Sequence, residues 1–359
     1  MTVVPKVDVN LFVYNGEKTI GAAIESVLSQ SWQAININVL DDGSTDGTPD
    51  IIASYARQHP AITIRTNRGN MGSVAGFQKA FWHGDADFVM PKSGDDLLAP
   101  DFIAKAMDIL LRSPSSVMCH ARGLLFTGVA DVKAVYPAQH CLNSVSEDPV
   151  DRACQVMARY TSSPAFWGIY RRSAADRLAR IRYRAGWDHA LLAELALYGE
   201  IRHVPEPLYW RRDGGKPVLY LARAATERGN RGQGIDDPLT EPHWRTPLIT
   251  TVLAHMEVFA VAKISAAQRD AVMAAVPGIF RARWLAAMQQ EAAGLRVVFP
   301  TLLSAAEAGT EPHRAMAARA LSDLLHGIGM ILPEEDFTDA FRALDAFSKR
   351  SRNDEMRVA

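Results

Sequence analysis

Cysteine is scarce in this sequence. Its 359 residues include three cysteines, Cys119, Cys141 and Cys154, an odd number without C-x-x-C spacing. Such a set predicts neither a disulfide framework nor a zinc site, and it is typical of a reducing compartment. The N-terminal segment "MTVVPKVDVN" lacks a basic stretch followed by an apolar one, so it does not resemble a secretory signal. We therefore expect a cytoplasmic protein.

Net charge and long apolar runs are missing as well. The formal net charge is −1, so no global field would attract nucleic acid or an acidic membrane surface. No stretch of about 18 apolar residues is free of charge, and we expect no membrane span. No G-x-G-x-x-G motif follows the first apolar run, which argues against a dinucleotide-dependent dehydrogenase.

The first 113 residues alternate between β-rich apolar runs and segments with apolar residues at helical spacing. The predicted strands are 7–14, 34–40, 61–67 and 86–92, and the predicted helices are 19–32, 48–59, 72–84 and 99–113. This order predicts an α/β fold whose mostly parallel sheet has helices on both faces. In such sheets, ligands bind beyond the carboxyl ends of the strands.

Two acid pairs follow predicted strands at that edge. Asp41 and Asp42 come after the second strand, and Asp95 and Asp96 come after the fourth. A calcium loop starting at Asp42 would need a bidentate glutamate where Ala53 stands, so the EF-hand interpretation fails. Helix capping could explain single acids in these turns, but it does not account for two pairs at successive strand ends.

Five segments, in this order, resemble family 2 glycosyltransferases with the GT-A fold. They are "LFVYNGEKTIGAAIESVLSQSW", "NVLDDGSTDGT", "NRGNMGSVAGFQKAF", "SGDDLLAPDFI" and "GWDHALLAELALYGEIRHVPEPLYWRR". The resemblance covers roughly residues 5 to 213. It implies a Rossmann-like GT-A sheet and an inverting transfer of a sugar from a nucleotide-sugar, most often UDP-linked, to a hydroxyl acceptor. The acceptor class stays open among sugars, lipid-linked molecules and small molecules.

The resemblance also implies roles for particular residues. Its nucleotide-sugar-binding positions are Phe12, Tyr14, Glu17, Asp42, Asn70, Asp96, Arg211 and Arg212. Phe12 could equally be an ordinary core residue, and one of the two arginines is expected to face solvent. Trp167 could stack on a sugar ring or fill the core.

Metal binding and proton transfer are implied for two further aspartates. Asp95 matches the family's main metal ligand for Mg²⁺ or Mn²⁺, although Ser93 replaces the first aspartate of the family's D-x-D motif. Asp188 matches the general base, with Trp187 where glutamate often stands, and a plain helix N-cap is the alternative role. Arginines suit diphosphate because their guanidinium groups can donate two parallel hydrogen bonds.

The composition changes near Pro242, where alanine and leucine become dominant. We expect a catalytic domain over 1–238 and helices over 239–359, acting as an acceptor platform or as a homodimer interface. The alternatives to a transferase are a non-catalytic nucleotide-sugar-binding protein and a sugar-phosphate nucleotidyltransferase. The latter usually needs a glycine-rich basic loop, whereas residues 12–20 contain one glycine and one lysine.

Overall fold

This computed structural model describes residues 4–128, 131–160, 163–180, 185–213, 246–307 and 313–347. Residues 213–238 are rich in glycine and charge and predict a loop, but all of them except Asp213 lie outside the described residues, as does His243, a candidate metal ligand. The described residues fall into two compact units. The first is drawn from Met1–Ile181, Leu191–Gly215 and Ala262–Gln268, and the second from Arg182–Ala190, Lys216–Val261 and Arg269–Ala359.

The first unit contains one mixed β-sheet. Its strands are β1 (Val7–Val13), β2 (Ile35–Asp41), β3 (Ile62–Thr66), β4 (Phe88–Ser93), β5 (Leu97–Leu98), β6 (Ser116–Gly128), β7 (Asp131–Val135), β8 (Ile169–Arg171) and β9 (Glu200–Arg212). The strand order is β3-β2-β1-β4-β8-β6-β9-β5, with β7 paired to β6. The pairings among β1, β2, β3 and β4 are parallel, and the long β6–β9 pairing is parallel too. The predicted α/β fold is confirmed.

Helices alternate with these strands along the chain. They are α1 (Ile20–Leu28), α2 (Thr48–Gln58), α3 (Ser73–Phe81), α4 (Phe102–Arg112), α5 (Pro149–Arg159), the short α6 (Arg172–Ala175) and α7 (Trp187–Tyr198). The central strand β1 is apolar at alternate positions, and Val7, Val9 and Leu11 are fully buried. α1 buries Ile20 and Ile24, one helical turn apart, in the same core. The intervening residues Asp8 and Asn10 are buried as well, so β1 is covered on both faces although its sequence alternates between apolar and polar residues.

Two local predictions need correction. The sequence of residues 126–150 lacks periodicity and predicts a segment that crosses the sheet surface, but β6 continues to Gly128 and β7 pairs with it in an antiparallel hairpin. All five residues of β7 are exposed, so the brief polar–apolar alternation in "DVKAV" does not mark a buried face, and four to eight residues of alternation are needed to indicate a strand. The segment "TPDIIASYARQH" predicts Thr48 as the N-cap of α2 with Pro49 at the first helical position, but the cap position is Gly47. The Thr48 hydroxyl instead accepts from the Gly16 N–H at 2.8 Å.

The second unit is helical, as predicted for the C-terminal region. It contains α8 (Pro247–Val261), α9 (Ala266–Glu307) and α10 (His313–Ile331), and residues 338–347 are helical as well. The start of α9, Ala266–Gln268, is grouped with the first unit. α9 is two helices joined at a kink, because Trp284 has non-helical dihedral angles (φ −138°, ψ 16°).

α9 is long and apolar enough, by length and composition, to cross a membrane. Its most apolar 18-residue window has a mean hydropathy of 1.2, and 22% of that window is buried. Val272, Val276 and Phe280 are buried at four-residue spacing, the pattern of a helix that packs on one side against protein. A single such helix is weak evidence for a span, and the absence of a span stays a prediction.

Candidate functional site

The turns that follow β1 and β2 are hydrogen-bonded to each other. The Asn15 N–H donates to the Ser44 hydroxyl at 2.9 Å, and the Thr45 N–H donates to Asn15 Oδ1 at 2.9 Å. The Glu17 carboxylate accepts from the Gly47 N–H at 3.0 Å. Glu17, predicted to contact the nucleotide, therefore braces the turn before α2 in this structure.

Asp42 holds the loop between β3 and α3. Its carboxylate accepts from the Asn67 side-chain amide at 2.6 Å and from the N–H groups of Met71 and Gly72 at 3.0 and 3.1 Å. The side chain is 6% exposed. Gly72 also donates to Asn70 Oδ1 at 2.7 Å. Two predicted nucleotide-binding residues, Asp42 and Asn70, thus meet in one loop, which Asp42 fixes in place.

Gly43 allows that loop to lie against the β2 turn. Its φ is +75°, and a Cβ atom there would lie 2.6 Å from the Gly69 Cα. Neither the backbone conformation nor the space suits another residue. The neighbouring Asp41 accepts from the Ser44 N–H at 3.0 Å through Oδ1, while its Oδ2 is buried without a hydrogen-bond partner. Asp41 orients the turn and keeps one acceptor unsatisfied.

An aromatic row lies beside the end of β1. The Phe12 ring stacks on Trp167 at 5.9 Å, and Trp167 stacks on Tyr209 at 6.3 Å with parallel planes. Phe12 is half-buried, so its ring belongs to this row and to the core beneath it. Tyr14, two residues later, is 43% exposed. Of the two aromatic residues predicted to bind the nucleoside, Tyr14 offers the freer ring face.

The turn after β4 directs its two aspartates in opposite directions. Asp96 is buried, accepts from the Tyr209 hydroxyl at 2.5 Å through Oδ2 and accepts from the Arg212 backbone N–H at 2.8 Å through Oδ1. Burial, helped by the charge of Asp95, raises the pKa of Asp96 to about 6. Asp95 is exposed, and its carboxylate accepts from the Ser93 hydroxyl. Asp95 is therefore the acid that can meet a ligand.

Lys92 is a residue that the sequence analysis did not single out. Its side chain is fully buried, and Nζ donates to the backbone oxygens of Asp96 and Ser93 at 2.5 and 3.1 Å. Burial lowers the pKa of Lys92 to about 8. The ammonium group ties both ends of the acidic turn to β4. A lysine inside the apolar run "FVMPK" was the available signal, since a buried lysine needs local partners.

The two predicted diphosphate-binding arginines occupy different surroundings at the end of β9. Arg212 Nε donates to the Asp95 backbone oxygen at 2.9 Å, and its guanidinium carbon lies 4.7 Å from the Phe126 ring centre. Arg211 donates to the Tyr136 hydroxyl at 3.2 Å. The structure thus places Arg212 at the acidic turn, whereas Arg211 is held by a residue near β7.

The donor set at the acidic turn fits Mg²⁺ or Mn²⁺ better than zinc. It offers the exposed Asp95 carboxylate and the Ser93 hydroxyl, both of them hard oxygen donors. Among the described residues, no group of three or more His, Cys, Asp and Glu side chains could hold a metal ion. Any cation held here would take its remaining ligands from diphosphate oxygens and water, as magnesium commonly does.

Asp188 belongs to the second compact unit, whereas the other predicted site residues belong to the first. It was expected to precede a helix, but α7 begins at Trp187, which puts Asp188 in the first turn. The residue is half-buried. A carboxylate in this position is favoured by the positive end of the helix dipole.

Comparison with known proteins gives concordant matches. Residues 9–136 match the family described as Glycosyl transferase family 2. The putative glycosyltransferase EpsE of Bacillus subtilis is 36% identical over 107 residues, which are 30% of this chain and 38% of EpsE. An uncharacterized glycosyltransferase of Nostoc sp. is 25% identical over 232 residues, covering 64% of this chain and 71% of that protein.

A solved structure resembles the whole fold. Staphylococcus aureus TarS 1-349, in complex with UDP-GlcNAc, matches with a TM-score of 0.56 and 15% sequence identity, over 90% of this chain and 81% of TarS 1-349. This likeness supports the fold. The alignment with EpsE spans less than half of that relative.

Proposed function

We propose that the protein transfers a sugar from a nucleotide-sugar to a hydroxyl acceptor with inversion, a proposal supported by the match of residues 9–136 to glycosyl transferase family 2. One observation carries the proposal. β1 pairs with β2 and β4, and the registers set Val13 opposite Asp41 and Phe12 opposite Ser93. The two acidic turns therefore flank the carboxyl end of one strand, where parallel sheets bind ligands.

The nucleoside is assigned to the β2 side of this edge. The exposed ring of Tyr14 can cover a base, and the loop that Asp42 and Asn70 hold forms the opposite wall. Glu17 supports this site by holding the turn before α2, and Phe12 supports it by stacking on Trp167 in the aromatic row. UDP-linked sugars are the first donors to test. UDP-GlcNAc should be tested before the others, because the TarS 1-349 structure is a complex with it.

The diphosphate is assigned to the β4 side. A divalent cation held by Asp95 would neutralise the charge that develops on the nucleoside diphosphate leaving group. Asp96 keeps the turn in shape through Tyr209 and the Arg212 backbone. The Arg212 guanidinium, anchored to the Asp95 carbonyl, has further N–H groups that can donate to phosphate oxygens.

Asp188 is assigned the proton transfer. Inverting transfer requires a base that removes the acceptor hydroxyl proton while the nucleoside diphosphate leaves from the opposite face of the sugar. The half-buried carboxylate at the start of α7 has the chemistry for this role. The helices over 239–359 remain proposed as an acceptor platform or as the interface of a homodimer.

The test is donor screening by release of nucleoside diphosphate, with and without Mg²⁺ or Mn²⁺, in the wild type and in Asp188→Asn. At least one nucleotide-sugar should be turned over. Asp188→Asn should lower that turnover on the order of 10² to 10⁴-fold with donor affinity retained, because general-base catalysis contributes about that much. Wild-type turnover in a folded Asp188→Asn would refute the base assignment. If the wild type releases no nucleoside diphosphate with any donor and acceptor class tested, the transferase function is refuted.

A further inference from the structure

The backbone just before Asp188 lies directly against α8. Gly186 has φ +73°, and a Cβ atom there would lie 2.2 Å from Thr251 Oγ1. Only glycine fits both the conformation and the space. Gly186 also accepts the first hydrogen bond of α7, from the Ala190 N–H at 3.0 Å. The start of α7 is therefore set by its contact with Thr251.

A second contact joins the same two segments just after Asp188. The rings of His189 and His255 meet edge to face, with His189 Nδ1 2.6 Å from His255 Nε2. Thr251 and His255 are four residues apart, so they lie one turn apart on the same face of α8. Asp188 thus sits between two residues, Gly186 and His189, that are both fastened to this face.

The hydrogen-bond direction within the histidine pair follows from its partners. His255 Nδ1 lies 2.7 Å from the Thr251 backbone oxygen, which can only accept, so Nδ1 carries the hydrogen. In a neutral imidazole the other nitrogen is then the acceptor, and His189 Nδ1 must donate to His255 Nε2. Burial lowers the pKa of His255 to about 4, which keeps the ring neutral at physiological pH. Arg283 Nη1, 3.4 Å from His189 Nε2, has the right character to donate to the remaining nitrogen.

Aromatic rings from α9 enclose the pair. Phe280 lies 4.8 Å from the His255 ring and 5.7 Å from the His189 ring, and Trp284 lies 6.3 Å from His189. Trp284 is also the residue at which α9 bends. In these apolar surroundings, a lost hydrogen bond would leave a polar ring nitrogen buried and unsatisfied, which is destabilising. The pair is held in one arrangement.

We propose that His255 is a positioning residue for Asp188: its hydrogen bond to His189, with the Gly186–Thr251 contact, fixes the first turn of α7 and so the direction of the Asp188 carboxylate. This inference rests on the proposed role of Asp188 as the base. A displacement of about 1 Å at a reacting group can cost on the order of 10²-fold in rate. The C-terminal helices would then contribute to catalysis through the placement of the base.

Two substitutions separate the hydrogen bond from the filling of space. His255→Phe keeps a ring and removes the acceptor, whereas His255→Gln keeps an acceptor that can reach His189. We expect His255→Phe to lower kcat on the order of 10 to 10²-fold with little change in donor KM, and His255→Gln to recover most of it. His326→Phe is the matched control, because His326 makes the same bond to the backbone four residues earlier (Ser322, 2.8 Å) but is exposed on α10.

The decisive measurement is the same substitution in the Asp188→Asn background. A residue that acts through Asp188 should cost nothing further once the base is gone, because the effects of groups that work as a unit are not additive. An equal loss in both backgrounds, or an unchanged kcat in folded His255→Phe, overturns the inference. If His255→Phe does not fold, His189→Phe removes the same bond from the other side and is judged by the same criteria.

The base assignment fails separately from this inference. If Asp188→Asn turns over like the wild type, the base assignment is wrong and the positioning role falls with it. If Asp188→Asn is impaired while His255→Phe and His189→Phe are not, only the positioning role is wrong.

Discussion

The acid pairs after β2 and β4 look alike in the sequence and differ in the structure. Asp41 and Asp42 are both buried, and the Asp42 carboxylate accepts hydrogen bonds from the loop between β3 and α3. After β4, Asp96 is buried in a similar way, but Asp95 is exposed. In the proposed site, one pair would therefore build the wall, whereas the exposed Asp95 of the other pair would present its charge to the ligand.

The partners of each pair explain this difference. The Asp42 carboxylate accepts from the Asn67 amide and from the N–H groups of Met71 and Gly72, and a carboxylate with several donors is held in place as their acceptor. Asp96 is matched by the Tyr209 hydroxyl and the Arg212 N–H, and Lys92 anchors the backbone beneath it. Asp95 is left outside this network with only the Ser93 hydroxyl as its side-chain partner among the contacts described above.

Removing the exposed acid gives the largest expected effect. Asp95→Asn should weaken donor binding in Mg²⁺ or Mn²⁺ on the order of 10²-fold, because it removes the carboxylate that holds the cation against the diphosphate. Calorimetry with and without EDTA measures this loss, which should disappear when the metal is chelated. Asp101→Asn is the control, since Asp101 is exposed and makes no capping hydrogen bond. Unchanged metal and donor affinities in Asp95→Asn would remove the distinction between the two acid pairs.

Removing the structural acid should instead lower stability. Asp42→Ala removes the acceptor of the Asn67 side-chain amide and the Met71 N–H, so the free energy of unfolding should fall by about 1–3 kcal/mol. Donor binding should weaken to the same extent with and without metal, because the wall of the nucleoside site loosens. Denaturant titration and calorimetry test both parts. A loss of donor affinity that requires metal would mean that Asp42 acts as Asp95 does.

Lys92 should give the acidic turn after β4 a pH dependence of its own. Its folded-state pKa of about 8 lies below the ordinary value of 10.5, so between these values the unfolded chain binds more protons and stability rises with pH. Lys92 should contribute at most about 1.4 kcal/mol per pH unit to this rise. The free energy of unfolding should therefore rise less steeply between pH 7 and 10 for Lys92→Met than for the wild type. Identical slopes would show that the ammonium is not desolvated by the fold.

Restoring the aspartate that the family resemblance places at Ser93 should have the smallest effect. Ser93→Asp adds a second carboxylate next to Asp95, and metal affinity rises with the number of charged ligands. We expect metal binding to tighten by about tenfold, while metal-free stability falls because three acids then crowd one turn. Manganese titration compares the two proteins. Weaker metal binding in Ser93→Asp would place the cation elsewhere.

The order of strands and helices around the site was predictable because β-rich segments such as "VDVNLFVY" alternate with segments that have apolar residues at helical spacing. The acidic turns were predictable in position for the same reason. The partners of each carboxylate were not predictable, since Asp96 meets Tyr209 across 113 residues and His189 meets His255 across 66. β7 was missed because its alternation, "DVKAV", is short and every residue in it is exposed. Local sequence thus located the acids, and distant contacts decided their roles.

The most direct test of the account is a structure of the protein with Mg²⁺ and the nucleoside diphosphate of its best donor. The account predicts a cation about 2.1 Å from an Asp95 carboxylate oxygen, with diphosphate oxygens bound to the same cation. It also predicts that the nucleobase packs against the Tyr14 ring at the end of β1. A diphosphate and cation bound without contact to Asp95, or a nucleobase bound away from the turns that follow β1 and β2, would contradict the assignment of the site.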